Sequence, residues 1–183
     1  MARGTRCADC AGKMVGMKAM KYVIALLAVA GLDVSSRALE IHYLPPGAAL
    51  PCAVTARWDC GEVNHGNYSV FPPKSIDEYD ENGVYHPAKL HVPVALVGII
   101  GYALILIAAL LGRLRIVLEL SRIGFFCAAF LSYIEAYIIT KWCIYCVWSL
   151  CIITTILVLS TVSVLVRRRR RAESMIAVLT AED

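Results

Sequence analysis

The chain has 183 residues, of which 59% are hydrophobic, and a formal net charge of +4 at pH 7. With a mean hydropathy of +0.66, it is too apolar to be an ordinary soluble domain of this length. Since each membrane span needs roughly 20 apolar residues, the length allows a few spanning helices and one sizeable loop, and it excludes a second folded domain.

Four apolar stretches are predicted to cross the membrane as helices, over residues of about 20–42, 92–112, 116–139 and 143–166. They predict an all-α membrane protein, built as a four-helix transmembrane bundle with a long outer loop, residues 43–91, between the first two helices. The predicted flanking segments are an N-terminal tail, residues 1–19, and a basic C-terminal tail, residues 167–183.

The first predicted span carries charged residues in its outer half. Asp33 and Arg37 are four residues apart, so we expect them to pair on a face that looks into the bundle, which lowers the cost of placing charge at membrane depth. A secretory signal peptide is the alternative interpretation, because basic residues precede the apolar stretch. No small-x-small cleavage site leads into a polar mature chain, so we expect the span to be retained.

The segments that flank and connect the predicted spans differ in their content of basic residues. The first 21 residues carry five Lys or Arg, the turn between spans two and three carries three arginines, and residues 167–171 are five arginines. The long loop has only three basic residues against six acidic ones, and the third connection has Lys141 alone. The positive-inside rule therefore predicts cytoplasmic termini and an outward-facing loop and fourth-span start. We interpret the arginine run as a stop-transfer anchor for anionic lipid and not as a nucleic-acid site.

Two cysteine pairs lie on the predicted outer face, where disulfides persist. Cys143 and Cys146 form a Cys-x-x-Cys at the start of the fourth span, and Cys52 and Cys60 lie in the long loop. The first turn of a helix stabilises a thiolate, and a loop dithiol can exchange disulfides with it by thiolate attack. The pattern predicts an electron relay that ends at the edge of the hydrocarbon, where a lipid-soluble quinone can meet the last dithiol.

Each pair also has a structural interpretation. Cys52 and Cys60 could form a static disulfide that closes a small loop. The Cys-x-x-Cys could be half of a zinc site completed by His65, His86 or His91, although these ligands would have to converge from a loop onto the membrane boundary without a second close pair. We therefore predict no metal site.

The other four cysteines have no predicted catalytic role. Cys127, mid-membrane in the third span, and Cys151, in the fourth, are expected to be small residues of the protein core. Cys7 and Cys10 form a second Cys-x-x-Cys, on the predicted cytoplasmic side, where thiols stay reduced. Their role stays open.

Several motifs together give the chain a resemblance to the vitamin K epoxide reductase family. They are the four spans, the spacing of Cys52 and Cys60, the pattern C-x-x-V-x-x-x-x-Y-S from Cys60 to Ser69, the segment VPVALVGIIGY and the segment WCIYCVWS. The resemblance covers roughly residues 20–166 and is closest to the bacterial branch.

The resemblance implies a four-helix bundle around a quinone, ubiquinone or menaquinone, which accepts the electrons. Cys52 and Cys60 would be a shuttle pair, Cys143 would exchange with the shuttle, and Cys146 would lie next to the quinone ring. Similar bacterial proteins are multi-pass proteins of the cell inner membrane whose active site faces the periplasm. They oxidise a thioredoxin-fold protein of the DsbA kind, so the implied activity is a thiol:quinone oxidoreductase that supports disulfide formation.

Two alternatives to this function remain at the level of sequence. One is a family member that mainly reduces a vitamin K-type quinone or its epoxide. The other is a non-enzymatic membrane protein with structural disulfides or a metal site.

Two departures from the family pattern are visible. Gly66 stands where the family commonly has a serine, which removes a hydroxyl and is expected to loosen the loop backbone, although Asn64, His65 or Asn67 could supply a hydrogen bond instead. The fused thioredoxin domain of many bacterial members is absent after the fourth span, so we expect a separate periplasmic partner.

Four further residues are candidates for contact with the quinone. Trp58, Tyr68 and Trp142 could cover the edge of the ring or belong to an interfacial aromatic belt. Glu135 is an ionisable group at membrane depth and therefore a functional candidate. It could assist protonation of the reduced quinone, or it could be tied to Lys141 or Tyr137.

Overall fold

The computed structural model describes residues 4–45, 52, 55–74 and 90–180, with side chains from residue 19 onward except at 177–179. The predictions for Cys7 and Cys10 therefore lie outside the described side chains. Five α-helices follow in chain order: α1 Gly4–Tyr43, α2 Cys60–His65, α3 Val94–Leu110, α4 Leu114–Ile134 and α5 Ile144–Leu179. A π-helical turn, Glu135–Ile139, extends α4.

A small antiparallel ribbon closes the loop region. It consists of β1 Val70–Phe71 and β2 Val92–Pro93, with Val70 opposite Pro93. Apart from this ribbon and two isolated bridges, the regular structure of the described residues is helical. This confirms the prediction of an all-α protein.

The four long helices pack around one hydrophobic core. Ile24 of α1, Val117 of α4 and Ile156 of α5 are fully buried, and Ile105 of α3 lies among them. The turn between α3 and α4 is tight because Gly112 adopts a φ of +69°, a left-handed conformation that favours glycine at the end of a helix. Because all four long helices contribute side chains to this core, they pack together as one bundle.

Two segments are long and apolar enough to cross a membrane on length and composition, Ala19–Tyr43 within α1 and Ile144–Ile176 within α5. The helix α3 is also apolar but shorter. Large apolar side chains point outward from all four long helices, as Leu26, Ile107, Phe126 and Val158 show. An apolar exterior of this kind identifies a membrane protein. That each of the four helices crosses the bilayer stays a prediction.

The helices extend beyond the predicted spans at both ends of the chain. The helix α1 begins at Gly4, within the predicted N-terminal tail, and α5 continues through the arginine run to Leu179. Arginine is a good helix former, so a charged run that ends a membrane span need not end the helix.

Two expectations about the bundle interior are wrong. Asp33 and Arg37 do pair, at 3.7 Å, but their side chains are 69% and 60% exposed and do not look into the bundle. The buried face of α1 at this level carries Ser35 instead, and a step of two residues along a helix leads to another face. Cys127 is exposed, as is Cys151, so neither belongs to the core.

Candidate active site

The short loop helix α2 is anchored to the segment that precedes α5. Asp59 caps α2 by accepting a hydrogen bond from the backbone N–H of Glu62 at 3.1 Å. The backbone N–H of Asp59 donates to the carbonyl of Trp142 at 3.1 Å, and the N–H of Trp142 donates to the carbonyl of Arg57 at 2.8 Å. These bonds place Cys60, the first residue of α2, beside the start of α5.

Side chains reinforce the same junction. The rings of Trp58 and Trp142 pack against each other with centroids 6.4 Å apart. Glu62 forms an ion pair with Lys141 at 3.2 Å. The loop therefore rests on the entrance to α5 through backbone, aromatic and charged contacts.

The structure brings the four predicted redox cysteines together. Cys52 and Cys60 are joined by a disulfide, with their Cα atoms 5.8 Å apart, whereas Cys143 and Cys146 are free thiols. Cys60 and Cys143 are fully buried in one small hydrophobic cluster with Cys52, and Cys146 packs against it. The loop disulfide thus lies in the same buried cluster as the Cys-x-x-Cys.

Asn64 provides the polar contact between the two cysteine pairs. Its side-chain Nδ2 donates to the carbonyl oxygen of Cys60 at 2.8 Å and lies 3.6 Å from Sγ of Cys143. Its own backbone carbonyl lies 2.6 Å from Nδ1 of His42, which fixes α2 against α1. In the sequence, Asn64 could have been recognised by its position four residues after Cys60, which places both residues on the same face of α2.

The turn after α2 contains Gly66 and is closed by hydrogen bonds. Gly66 has a φ of −62°, which any residue adopts, and its carbonyl accepts hydrogen bonds from the N–H and the hydroxyl of Ser69 at 3.1 and 2.7 Å. A Cβ at Gly66 would lie 3.0 Å from the carbonyl oxygen of Glu62. These hydrogen bonds define the turn, and the loosening of its backbone by Gly66 stays a prediction.

The π-helical turn after α4 carries Glu135 to the Cys-x-x-Cys. Glu135 is 2% exposed, and its Oε2 accepts a hydrogen bond from the backbone N–H of Cys143 at 3.1 Å. π-helical turns occur often at functional sites. The turn ends at Thr140, whose φ of 57° is unusual for a residue other than glycine.

The alternative partners that we considered for Glu135 are engaged elsewhere. Lys141 pairs with Glu62, as described above, and Tyr137 packs against Tyr133 with ring centroids 4.8 Å apart. The carboxylate of Glu135 is therefore directed to the redox site.

A cavity of about 250 Å³ opens beside Cys146, between the four long helices and α2. Most of its lining is apolar, and the polar groups in it are few. They include Asn64, Tyr68, Glu135 and Ser149. A cavity that is apolar with a few convergent polar groups is typical of a binding site for a small apolar molecule.

The predicted site residues divide between this cavity and the junction around it. Cys146, Tyr68 and Glu135 line the cavity, whereas Trp58 and Trp142 lie outside the lining, at the junction with the loop. Direct contact of the two tryptophans with a ligand stays a prediction.

Two residues of α3 that the sequence did not single out shape the cavity. Tyr102 is buried in its wall, and its hydroxyl lies 3.0 Å from both the carbonyl oxygen and Oγ of Ser149. Gly101 also lines the cavity, and outside its immediate chain neighbours and the adjoining backbone of α3, no heavy atom of the described residues lies within 4 Å of the position that a Cβ would occupy there. A side chain at residue 101 would therefore extend into the open space.

The histidines considered as metal ligands contact backbone carbonyls. The ring nitrogens of His65 lie 2.8 Å from the carbonyl oxygens of Gly61 and Leu44. Nδ1 of His91 lies 2.8 Å from the carbonyl oxygen of Pro72. Within the described ranges, no three or more His, Cys, Asp or Glu side chains converge as a metal site would require, and His86 lies outside them.

Comparison with known proteins agrees with this geometry. A search of curated proteins finds no significant match. The sequence model of the vitamin K epoxide reductase family matches residues 22–161, about three quarters of the chain, including both cysteine pairs. The chain therefore belongs to the vitamin K epoxide reductase family, a family of quinone-linked membrane oxidoreductases that act through cysteines.

Proposed function

We propose that the chain is a thiol:quinone oxidoreductase that passes electrons from Cys52 and Cys60 to Cys143 and Cys146 and then to a quinone. One observation carries this proposal: the two cysteines of the Cys-x-x-Cys have different surroundings. Cys143 is buried in one cluster with the loop disulfide, while Cys146 lines the apolar cavity. An electron pair that enters through the loop can therefore leave on the cavity side.

Each step is a two-electron exchange. A thiolate of an external dithiol attacks the Cys52–Cys60 disulfide, and the second donor thiol completes the donor's disulfide and leaves both loop thiols reduced. The loop dithiol then reduces a Cys143–Cys146 disulfide in the same way and is itself reoxidised. The Cys143–Cys146 dithiol finally transfers two electrons and two protons to the quinone, which becomes a quinol while the disulfide reforms.

Two polar side chains support the exchange. Asn64 donates toward the sulfur of Cys143 and stabilises negative charge on it as the Cys143–Cys146 disulfide is broken or formed. Glu135 binds the backbone N–H of Cys143 and lines the cavity, so its carboxylate is placed to accept a thiol proton on the way to the quinone.

We further propose an electron donor and a cellular location for the protein. A separate periplasmic thioredoxin-fold protein of the DsbA kind supplies the electrons, since such proteins have reduction potentials of about −120 mV and need a strong acceptor such as ubiquinone or menaquinone. The arginine run and the basic first 21 residues support cytoplasmic termini in a multi-pass protein of the inner membrane. The redox site then faces the periplasm.

The experiment that tests this function is anaerobic quinone reduction by the purified protein, with dithiothreitol as donor. Cys146→Ser should abolish turnover, because it removes the thiol at the cavity. Cys151→Ser is the matched control, since Cys151 is an exposed thiol on the same helix, and it should behave as wild type. Quinone reduction that survives Cys146→Ser would exclude the proposed route.

A further inference from the structure

A second cavity lies at the opposite end of the bundle from the cysteines. It has a volume of about 340 Å³ and is formed between the turn that joins α3 to α4 and the late part of α5. Its walls combine apolar residues with five arginines that come from these two separate segments: Gly112, Leu114, Ile116 and Val164, with Arg113, Arg115, Arg167, Arg168 and Arg171.

These arginines lack acidic partners in the part of the chain that the structure describes. None of the five forms an ion pair there, and the nearby acidic residue of α4, Glu119, is paired with Arg122 at 3.2 Å. Nε of Arg167 is enclosed and has no hydrogen-bond partner among the described residues. Five guanidinium groups without acidic partners in the described ranges therefore line one cavity, and their positive charge favours an anionic ligand there.

The position of the cavity along α5 indicates the source of that acceptor. The stretch of α5 from Ile144 to Val166 carries no charge and spans about 34 Å, close to the thickness of the hydrocarbon core. Arg167 follows directly, so a helix that crosses the hydrocarbon core from Ile144 onward places Arg167 near the level of the lipid phosphates. Of the apolar wall residues, Ile116 is 42% exposed on the outer surface, whereas Leu114 and Val164 belong to the bundle core.

We propose that this cavity is a binding site for the phosphate of an anionic phospholipid. Guanidinium groups from two walls hold the phosphate oxygens through charge-assisted hydrogen bonds. The exposed side chain of Ile116 contacts the first part of an acyl chain. Such a site differs from the general attraction of a basic tail to an anionic membrane, because it depends on which arginines line the cavity and not on their number.

The arginine run itself provides a charge-matched test. Arg168 and Arg171 line the cavity, whereas Arg169 and Arg170 do not. The variants R168Q/R171Q and R169Q/R170Q therefore lose the same charge in the same run but differ in their relation to the cavity. The variant R113Q/R115Q removes charge from the opposite wall of the cavity. It replaces R168Q/R171Q as the test variant if changes in α5 impair folding.

The measurement is the affinity of the full-length protein for phosphatidylglycerol in mixed detergent micelles, with phosphatidylcholine and inorganic phosphate as comparison ligands. We expect wild type to prefer phosphatidylglycerol, and each lost charge-assisted bond to weaken binding about tenfold, so about 100-fold for R168Q/R171Q. R169Q/R170Q should weaken binding less than about tenfold. R113Q/R115Q should resemble R168Q/R171Q.

Three results would overturn the proposal. Equal losses in R168Q/R171Q and R169Q/R170Q would show that the run acts only through its total charge. Equal affinity for phosphatidylcholine would remove the requirement for an anionic headgroup. Binding of inorganic phosphate as tight as that of phosphatidylglycerol would make the site one for free phosphate.

Discussion

Asn64 offers the sharpest test of how the two cysteine pairs communicate. Its amide bonds the carbonyl oxygen of Cys60 at 2.8 Å and reaches Sγ of Cys143 at 3.6 Å from a buried position. Asn64→Leu keeps a similar volume but removes the donor. A hydrogen bond to a charged group contributes about 1.5–3 kcal/mol, so exchange between the loop pair and Cys143 should slow by about 10- to 150-fold.

The assay is quinone reduction in the presence of a reduced thioredoxin-fold donor, followed in single turnovers so that thiol exchange is observed. Glu62→Gln is the matched control, because Glu62 lies on the same helix but its ion pair with Lys141 is at the surface and worth at most about 1 kcal/mol. An Asn64→Leu protein that folds and exchanges within about threefold of wild type would refute the reasoning. Asn64 would then have a structural role alone.

Two further predictions concern the cavity. Gly101→Leu should fill open space in the cavity that Cys146 lines and raise KM for the quinone, while dithiothreitol still reduces the Cys52–Cys60 disulfide at the wild-type rate. Steady-state kinetics measure the KM, and thiol labelling measures the reduction of the disulfide. An unchanged KM would mean that the quinone binds elsewhere. Glu135→Gln retains an acceptor for the N–H of Cys143 but cannot take up a proton, so kcat should fall by about 100-fold or more while the melting temperature stays near that of wild type. A normal kcat in this variant would leave Glu135 with a positioning role only.

The cysteines that come together in the candidate site could be predicted from local sequence, because the cysteine pairs are short motifs. The spacing of Cys143 and Cys146 before an apolar run predicts a helix-start dithiol, and the structure places Cys143 immediately before the first residue of α5. Glu135 was recognisable as a charge within an apolar stretch. In each case, the informative feature lies within a few residues of the functional group.

The contacts across the site could not be predicted in the same way, because they join distant parts of the chain. The approach of Asn64 to Cys143 spans 79 residues, and the open space at Gly101 depends on how four helices pack. The Asp33–Arg37 pair also shows what local sequence can and cannot predict. The spacing of the two residues predicted the ion pair correctly, but which face of α1 is buried depends on its neighbours.

The helix ends illustrate a further physical reason. Hydrophobicity marks where the chain lies in the membrane, whereas helix ends depend on backbone hydrogen bonds and on caps. The helix α5 therefore passes through the arginine run without a break. The second cavity depends on this continuation, since Arg171 reaches it from beyond the end of the predicted span.

The relay itself is tested most directly by a bypass measurement with Cys52→Ser. The variant is supplied either with a reduced thioredoxin-fold protein or with dithiothreitol, and anaerobic quinone reduction is recorded. We predict no turnover with the protein donor and retained turnover with dithiothreitol, because a small dithiol can reduce the Cys143–Cys146 disulfide without the loop pair. Full turnover of Cys52→Ser with the protein donor would contradict the relay, since electrons would then reach the quinone without passing through the loop cysteines.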